Sequence, residues 1–256
     1  MDNTNLYENF DWSQLNYQSL IPKIKKILEI IPKDTRTIID IGCGDGKITN
    51  VLNEHYDVTA VDRSTNALKY VKTKKILSPA DNIPVSNNSF DMVFSSEMIE
   101  HLDDNTLNSA INEFKRISRK YIFITVPNDE NPDKLAIKCP KCNYIYNRPN
   151  HLQSFNINRL KKLFPEYKIL NTFPFGPKTR YYNKHLLKFK LKYTPANSWV
   201  PYYWIPKTNR NTFCPNCEHS FKFTYSFNPL SFTIDMVNIV LSRKKPYWLF
   251  VLMEKN

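Results

Sequence analysis

The chain has 256 residues, 41% of them hydrophobic and 23% charged, with a formal net charge of +12. That length suits one sizeable domain, or one domain with a large insert. No apolar run approaches the roughly 18 residues of a membrane-spanning helix, and the excess of Lys and Arg favours anionic partners such as nucleic acid, phosphorylated or sugar-nucleotide substrates, or anionic lipid surfaces.

The first twenty residues are polar and slightly acidic, with neither a basic n-region nor an apolar h-region. No signal peptide is expected, and the reading is a cytoplasmic protein. Ile21, Ile24, Ile27, Leu28 and Ile31 recur at helical spacing, with Pro22 suited to a first helical turn. "TIIDI" follows as a short strand, then a helix over "GKITNVLNEHY". "DVTAVD" is a second strand, and "STNALKYVKTKK" a helix started by Ser64, a good N-cap. "ILSPAD" and "SFDMVFSS" are the third and fourth strands. "NTLNSAINEFKRISRK" is a helix with Leu107, Ile111, Phe114 and Ile117 inward, and "YIFITVP" is the fifth strand. "INRLKKLF" is a helix and "YKILNTF" a sixth strand. A long irregular stretch runs from about Pro174 to Pro229, followed by the helix "SFTIDMVNIVLS" and a last strand "YWLFVLME".

Strands alternating with helices predict an α/β fold with a mostly parallel sheet covered on both faces. The irregular stretch is too long for an ordinary loop. Residues 174–229 are therefore read as an insert that packs with 129–156, and 1–173 plus 230–256 as the main domain.

Only four glycines occur in the chain, and three sit together as Gly42-Cys-Gly44-Asp-Gly46, between a strand and a helix. A ligand at such a turn meets backbone N–H groups and the positive end of the helix. The spacing is G-x-G-x-G, not the G-x-G-x-x-G that suits a pyrophosphate. Asp40, inside the preceding strand, adds negative charge where a cationic ligand would be welcome. Asp62 ends the second strand, 16 residues after Gly46, where a carboxylate can accept from two ribose hydroxyls. Asp81, followed by Asn82, ends the third strand and suits an adenine amino group. The carboxyl edge of an open α/β sheet is where ligands bind, and these acids all fall there.

With "DIGCGDGK", "VTAVDRS", "SPADNIPVSNNSFDMVFSSEMIEHL" and "YIFITVPN", the chain resembles the class I S-adenosylmethionine (SAM)-dependent methyltransferases of type 11 over roughly residues 20–170 and the final strand. The resemblance implies a Rossmann-like seven-stranded sheet whose last strand is antiparallel. It implies that Gly42 and Gly44 approach the SAM amino-acid moiety, Asp62 the ribose and Asp81 the adenine. Asp40, Gly46, Arg63 and Asn82 complete the cofactor-binding set.

After the fourth strand comes Glu97-x-x-Glu100-His101. Two carboxylates and an imidazole at i, i+3 and i+4 can converge on one cation if the segment is helical. An oxygen acceptor benefits from a base or from a metal that lowers its pKa. The pattern is similar to that of metal-assisted O-methyltransferases of ubiquinone biosynthesis and of small-RNA 2′-O-methylation. It implies Mg or a similar divalent ion at Glu97, Glu100 and His101, with His151 as a further ligand. The alternative is that Glu100 and His101 only shape the pocket.

Cys139-Pro-x-Cys142 and Cys214-Pro-x-Cys217 are two metal-type pairs. Four thiolates make a closed tetrahedral zinc site, although 71 residues separate Cys142 from Cys214. One structural zinc held by all four is the favoured reading, over two separate sites using His151 and His219 or four reduced thiols. Cys43 reads as packing in the glycine turn. Lys188, Lys190 and Lys192 alternate with Phe189 and Leu191, as on a half-exposed strand. Methyl transfer to an oxygen of a small-molecule, sugar or lipid acceptor is the favoured function. A zinc-containing RNA 2′-O-methyltransferase or nucleic-acid-binding module is the alternative.

Overall fold

The structure is a computed structural model, and it describes residues 7, 8, 12 and 17–256. The N-terminal stretch, in which no signal peptide is expected, therefore lies largely outside the described residues. In chain order the elements are α1 (Tyr17–Ile30), β1 (Thr37–Ile41), α2 (Lys47–Leu52), β2 (Asp57–Asp62), α3 (Thr65–Leu68), β3 (Lys74–Leu77) and β4 (Phe90–Ser96). A short 3-10 turn (Ile99–His101) leads to α4 (Asp104–Ile117), β5 (Ser118–Pro127), β6 (Ala136–Lys138) and β7 (Ile145–Asn147). Then come α5 (Ile157–Leu163), β8 (Tyr167–Arg180), α6 (Lys184–Tyr193), α7 (Val200–Tyr203), β9 (Asn211–Phe213), β10 (Ser220–Lys222), α8 (Pro229–Leu241) and β11 (Lys244–Lys255).

The chain divides into two compact units. Unit 1 holds Met1–Asp129, Phe155–Pro177 and Pro246–Asn256; unit 2 holds Glu130–Ser154 and Lys178–Lys245. A seven-stranded sheet runs in the order β3-β2-β1-β4-β5-β11-β8. The pairs β3–β2, β2–β1, β1–β4 and β4–β5 are parallel, and β11 is antiparallel to β5, with Trp248 opposite Pro127 and Glu254 opposite Tyr121. This is the expected α/β architecture.

Period-two alternation explains how both faces of the sheet are buried. Ile39, Val93, Ile122 and Ile124 face one core, packed by Leu107, Ile111 and Phe114 of α4. Ile38, Met92, Phe94 and Phe123 face the other, packed by Ile27 and Ile31 at the end of α1 and by Leu52 of α2. Leu107, Ala110, Ile111, Phe114 and Ile117 form the single buried stripe of α4. Asp103 caps that helix by accepting from the Thr106 N–H at 3.0 Å.

Several elements differ from their expected form. Ser64 does cap α3, accepting from the Ala67 N–H at 3.1 Å. The helix nevertheless stops at Leu68, because β3 begins at Lys74 and leaves no room for three turns. α1 starts at Tyr17, so Pro22 lies inside the helix rather than in its first turn. The stretch expected to be irregular contains the extended β8, two helices and a hairpin. Residues 188–192, expected as a strand, are helical: Leu187 and Lys190 are buried while Lys188 and Phe189 are exposed, a period of three rather than two. Finally, α8 belongs to unit 2, not to the main domain. Its buried positions are mostly polar and bond to unit 2 residues.

Candidate functional site

The turn after β1 needs its glycines. Gly42, Gly44 and Gly46 have φ of 76°, 54° and 72°, the left-handed region that side chains resist. A Cβ on Gly42 would stand 2.1 Å from Met98 Cγ, and one on Gly44 2.9 Å from Trp12 Cζ3. The turn is tied to β2 by the Gly42 and Cys43 N–H groups, which donate to the Val61 carbonyl at 2.8 and 3.1 Å. Gly46 then becomes the N-cap of α2, with its carbonyl accepting from the Asn50 N–H at 2.7 Å.

Two acids lie beside this backbone. Asp40 is 2% exposed and accepts from Thr49 Oγ1 at 2.6 Å. Burial pushes its carboxyl up to about 7, the Thr49 hydrogen bond opposing and the Asp62 charge adding to the shift. Asp62 closes β2 and accepts from the Gly44 N–H at 2.8 Å and the Ser64 N–H at 2.9 Å. Its pKa is also raised, by burial against those hydrogen bonds. Arg63 is lowered by burial, with the charge of Asp81 holding it up, so these two side chains are electrostatic neighbours. Asp81 is half-buried, and the exposed Asn82 gives its carbonyl to Ser78 Oγ at 2.6 Å. Burial drives the Cys43 thiol well above its usual range, which makes it an inert filler of the turn.

Three residues near the chain start also reach this region. Glu8 accepts from Ser64 Oγ at 2.8 Å and from the Asn66 N–H at 3.3 Å, and its carbonyl accepts from Asn66 Nδ2 at 2.6 Å. Trp12 lies against Gly44, and its carbonyl accepts from Lys47 Nζ at 3.4 Å. Lys47 also pairs with Asp45. The ring of Tyr7 meets His101 edge-on, with centroids 5.7 Å apart. No periodicity or motif in the sequence marks these three residues.

Glu97, Glu100 and His101 fall at the carboxyl end of β4, but not on one helical face. Glu97 has φ of 55° and precedes the 3-10 turn that carries Glu100 and His101. Its N–H donates to the Thr125 carbonyl at 2.9 Å. Its carboxylate sits 3.2 Å from the ammonium of Lys23, a fully buried lysine that also lies 4.6 Å from the Trp248 ring centroid. Burial lowers the Lys23 pKa and the Glu97 charge opposes that shift. The Glu97 carboxylate thus has a buried lysine of the chain beside it. In place of one helical face, the half-buried Glu97 carboxylate pairs with Lys23, while the ligand atoms of Glu100 and His101 lie within 4.8 Å of one another on the 3-10 turn. Lys23 was legible in one respect: it sits four residues before Ile27, on the buried stripe of α1.

Unit 2 contains the two cysteine pairs. Each closes a short antiparallel hairpin: Cys139 and Cys142 between β6 and β7, Cys214 and Cys217 between β9 and β10. The two turns repeat the same backbone scheme. The Asn143 and Glu218 N–H groups donate to the Cys139 and Cys214 carbonyls at 3.0 and 2.9 Å, and both residues have positive φ, 62° and 58°. Cys139 Sγ lies 3.7 Å from Cys217 Sγ and Cys142 Sγ 3.6 Å from Cys214 Sγ. All four sulfurs lie within 4.8 Å of one another. His151, also in unit 2, presents Nδ1 to Glu130 Oε2 at 2.5 Å. The topology thus brings the four thiols together despite their sequence separation, while His219 stacks on Phe221 at 5.8 Å.

Residues 39–122 match the family model described as a methyltransferase domain. An uncharacterized protein of Methanocaldococcus jannaschii is 30% identical over 132 residues, covering 50% of this chain and 56% of that protein. The malonyl-[acyl-carrier protein] O-methyltransferase of Hahella chejuensis is 29% identical over 119 residues, 41% of this chain and 43% of the enzyme. The chain thus spans about half the length of the curated relatives it matches. Among solved structures, a SAM-dependent methyltransferase from Archaeoglobus fulgidus superposes with a TM-score of 0.56 at 16% identity, covering 94% of this chain and 95% of that one. That likeness is one of fold.

Proposed function

We propose that the chain is a SAM-dependent methyltransferase acting on an oxygen of a small-molecule, sugar or lipid acceptor. The observation that carries this reading is the turn of three left-handed glycines beside Asp62, inside the segment that matches a methyltransferase domain. The residues fit the cofactor. Bare backbone at Gly42 and Gly44 allows close approach by its amino-acid moiety, and the Asp62 carboxylate has lone pairs left for ribose hydroxyls. Asp81, Asn82 and Arg63 are the groups for the adenine. The buried Asp40 favours a cation nearby. When bound, SAM supplies a methyl group activated by a positively charged sulfonium.

The chain's own task is then to orient the acceptor and take its proton. Glu100 and His101 are the proposed proton-handling residues, because they follow β4 at the sheet edge where the cofactor turn lies. The Glu97–Lys23 pair fixes the start of that segment, and its strained backbone at Glu97 is the kind of local cost that active-site loops retain. The O-methyltransferase name of one relative supports oxygen as the acceptor atom.

We also assign a structural zinc ion to Cys139, Cys142, Cys214 and Cys217. With Zn–S bonds of about 2.3 Å, the edges of a regular tetrahedron are about 3.8 Å. The paired sulfur distances of 3.6 and 3.7 Å are close to that value. They are also far from the roughly 2.0 Å of a disulfide.

Isothermal titration with S-adenosylhomocysteine tests the cofactor reading: micromolar-range binding that disappears in Asp62→Ala is expected, and no detectable heat with folded protein would sink it. Metal analysis of protein isolated under reducing conditions tests the zinc. Less than about half an equivalent would count against it.

A further inference from the structure

The positive charge of the chain is not shared between its units. Unit 2 carries sixteen Lys and Arg against four Asp and Glu, and unit 1 carries twenty of each. The whole excess of +12 therefore belongs to unit 2. One of its few acids, Asp235, is buried 2.6 Å from Lys190 and offers nothing to solvent.

Within this unit α8 is turned inside out. Its buried face is polar: Ser231, Asp235 and Asn238, with Ile234 the one apolar exception. Lys190 Nζ donates to Ser231 Oγ and to Asp235 at 2.6 Å each, and Tyr182 Oη donates to Asp235 at 2.6 Å. Asn238 accepts from the Asn183 N–H at 2.9 Å and donates to the Tyr181 carbonyl at 3.0 Å. These bonds fix the rotation of the helix. The opposite face then carries Phe232, Val237, Ile239, Val240 and Leu241 into solvent, Val240 at 84% and Leu241 at 64% exposure. A helix of a soluble domain ordinarily buries its apolar stripe, and an apolar patch of this kind marks an interaction surface.

Two cations adjoin the C-terminal end of the patch. Arg243 and Lys244 follow the helix directly and are exposed. α6, joined to α8 through the Lys190–Asp235 pair, exposes Lys188, Phe189 and Lys192. No helix among the described residues is long and apolar enough to cross a membrane, so attachment would be at the interface.

We propose that unit 2 docks on an anionic phospholipid surface through the exposed face of α8. The aliphatic side chains enter the headgroup–acyl boundary and the neighbouring Lys and Arg meet lipid phosphates. A nucleic acid would match the charge, but Val240, Leu241 and Ile239 offer it neither stacking nor hydrogen bonds. A second copy would match the apolar face, but it would bring the same excess of positive charge against its like.

The test is co-sedimentation of the full chain with phosphatidylcholine vesicles, with and without phosphatidylglycerol. Preferential binding to the anionic vesicles, weakened by salt, is expected. Val240→Glu combined with Leu241→Glu should reduce it on the order of tenfold or more. Both positions are solvent-exposed, so thermal midpoint, circular dichroism and S-adenosylhomocysteine binding should be unchanged. Equal partitioning to neutral vesicles, or undiminished binding by the double variant, would overturn the proposal. So would a concentration-dependent dimer that the double variant abolishes, or single-stranded RNA binding in place of vesicle binding.

Discussion

Replacing Asp40 with Asn is expected to stabilise the protein in mild alkali and to leave it nearly unchanged in mild acid. Asp40 is fully buried in β1, and its carboxyl titrates near 7 in the native state against 3.8 as its ordinary value. The native state therefore keeps a proton that the unfolded chain has already released. That contribution is complete below about pH 4 and is lost as pH rises through about 7. A shift of about three pH units corresponds to about 4 kcal/mol in total. About 3 kcal/mol of it should be lost between about pH 5 and about pH 8, because there the unfolded carboxyl is already ionised while the native one gives up its proton near 7. Asn keeps an oxygen to accept from Thr49 Oγ1, now 2.6 Å away, and carries no proton to lose. Urea denaturation across this pH range is the assay. The native protein should lose stability as pH rises, and the Asn variant should lose about 3 kcal/mol less. A native protein whose stability from this group is flat with pH, or an Asn variant that is weaker than native at about pH 8, would refute the reasoning.

Gly42→Ala should abolish S-adenosylhomocysteine binding and lower the thermal midpoint, since its Cβ would fall 2.1 Å from Met98 Cγ in a left-handed backbone. Glu97→Gln should cost roughly 3 kcal/mol in urea denaturation, because it leaves the buried Lys23 ammonium without its carboxylate; the companion Lys23→Met with Glu97→Gln should recover part of that loss. Cys142→Ser should release zinc and expose unit 2 to limited proteolysis while the titration heat of S-adenosylhomocysteine persists, the cysteines all lying in unit 2. Glu100→Gln should lower kcat by about a hundredfold or more with little change in cofactor affinity if it handles the acceptor proton, and undiminished turnover would leave it a packing role.

The main fold was readable because its signals are local. "TIIDI" and "YIFITVP" are strand-length apolar runs, and Leu107, Ile111 and Phe114 recur at helical spacing. The glycine turn was readable because the left-handed backbone it needs excludes nearly every other residue. The site beside β4 was readable only in part. "EMIEH" names the groups, but the positive φ of Glu97 and its pairing with Lys23, 74 positions earlier, depend on which strands and helices meet. Residues 188–192 read as a strand because Lys alternates with Phe189 and Leu191 at a period of two, while the packing of Leu187 and Lys190 within unit 2 imposes a period of three.

α8 shows where the sequence runs out. Its composition alone, "PLSFTIDMVNIVL", reads as a core helix. Only the tertiary structure decides that Ser231, Asp235 and Asn238 turn inward, because their partners Lys190, Tyr182 and Asn183 lie 41 to 55 positions away. By itself the sequence determined the strand–turn–helix that presents bare backbone at Gly42 and Gly44, through sterics acting over a few residues. The convergence of four cysteines across 71 residues, the burial of Lys23 and the outward face of α8 are settled by long-range packing. There a side chain's surroundings come from chain segments that no local pattern records.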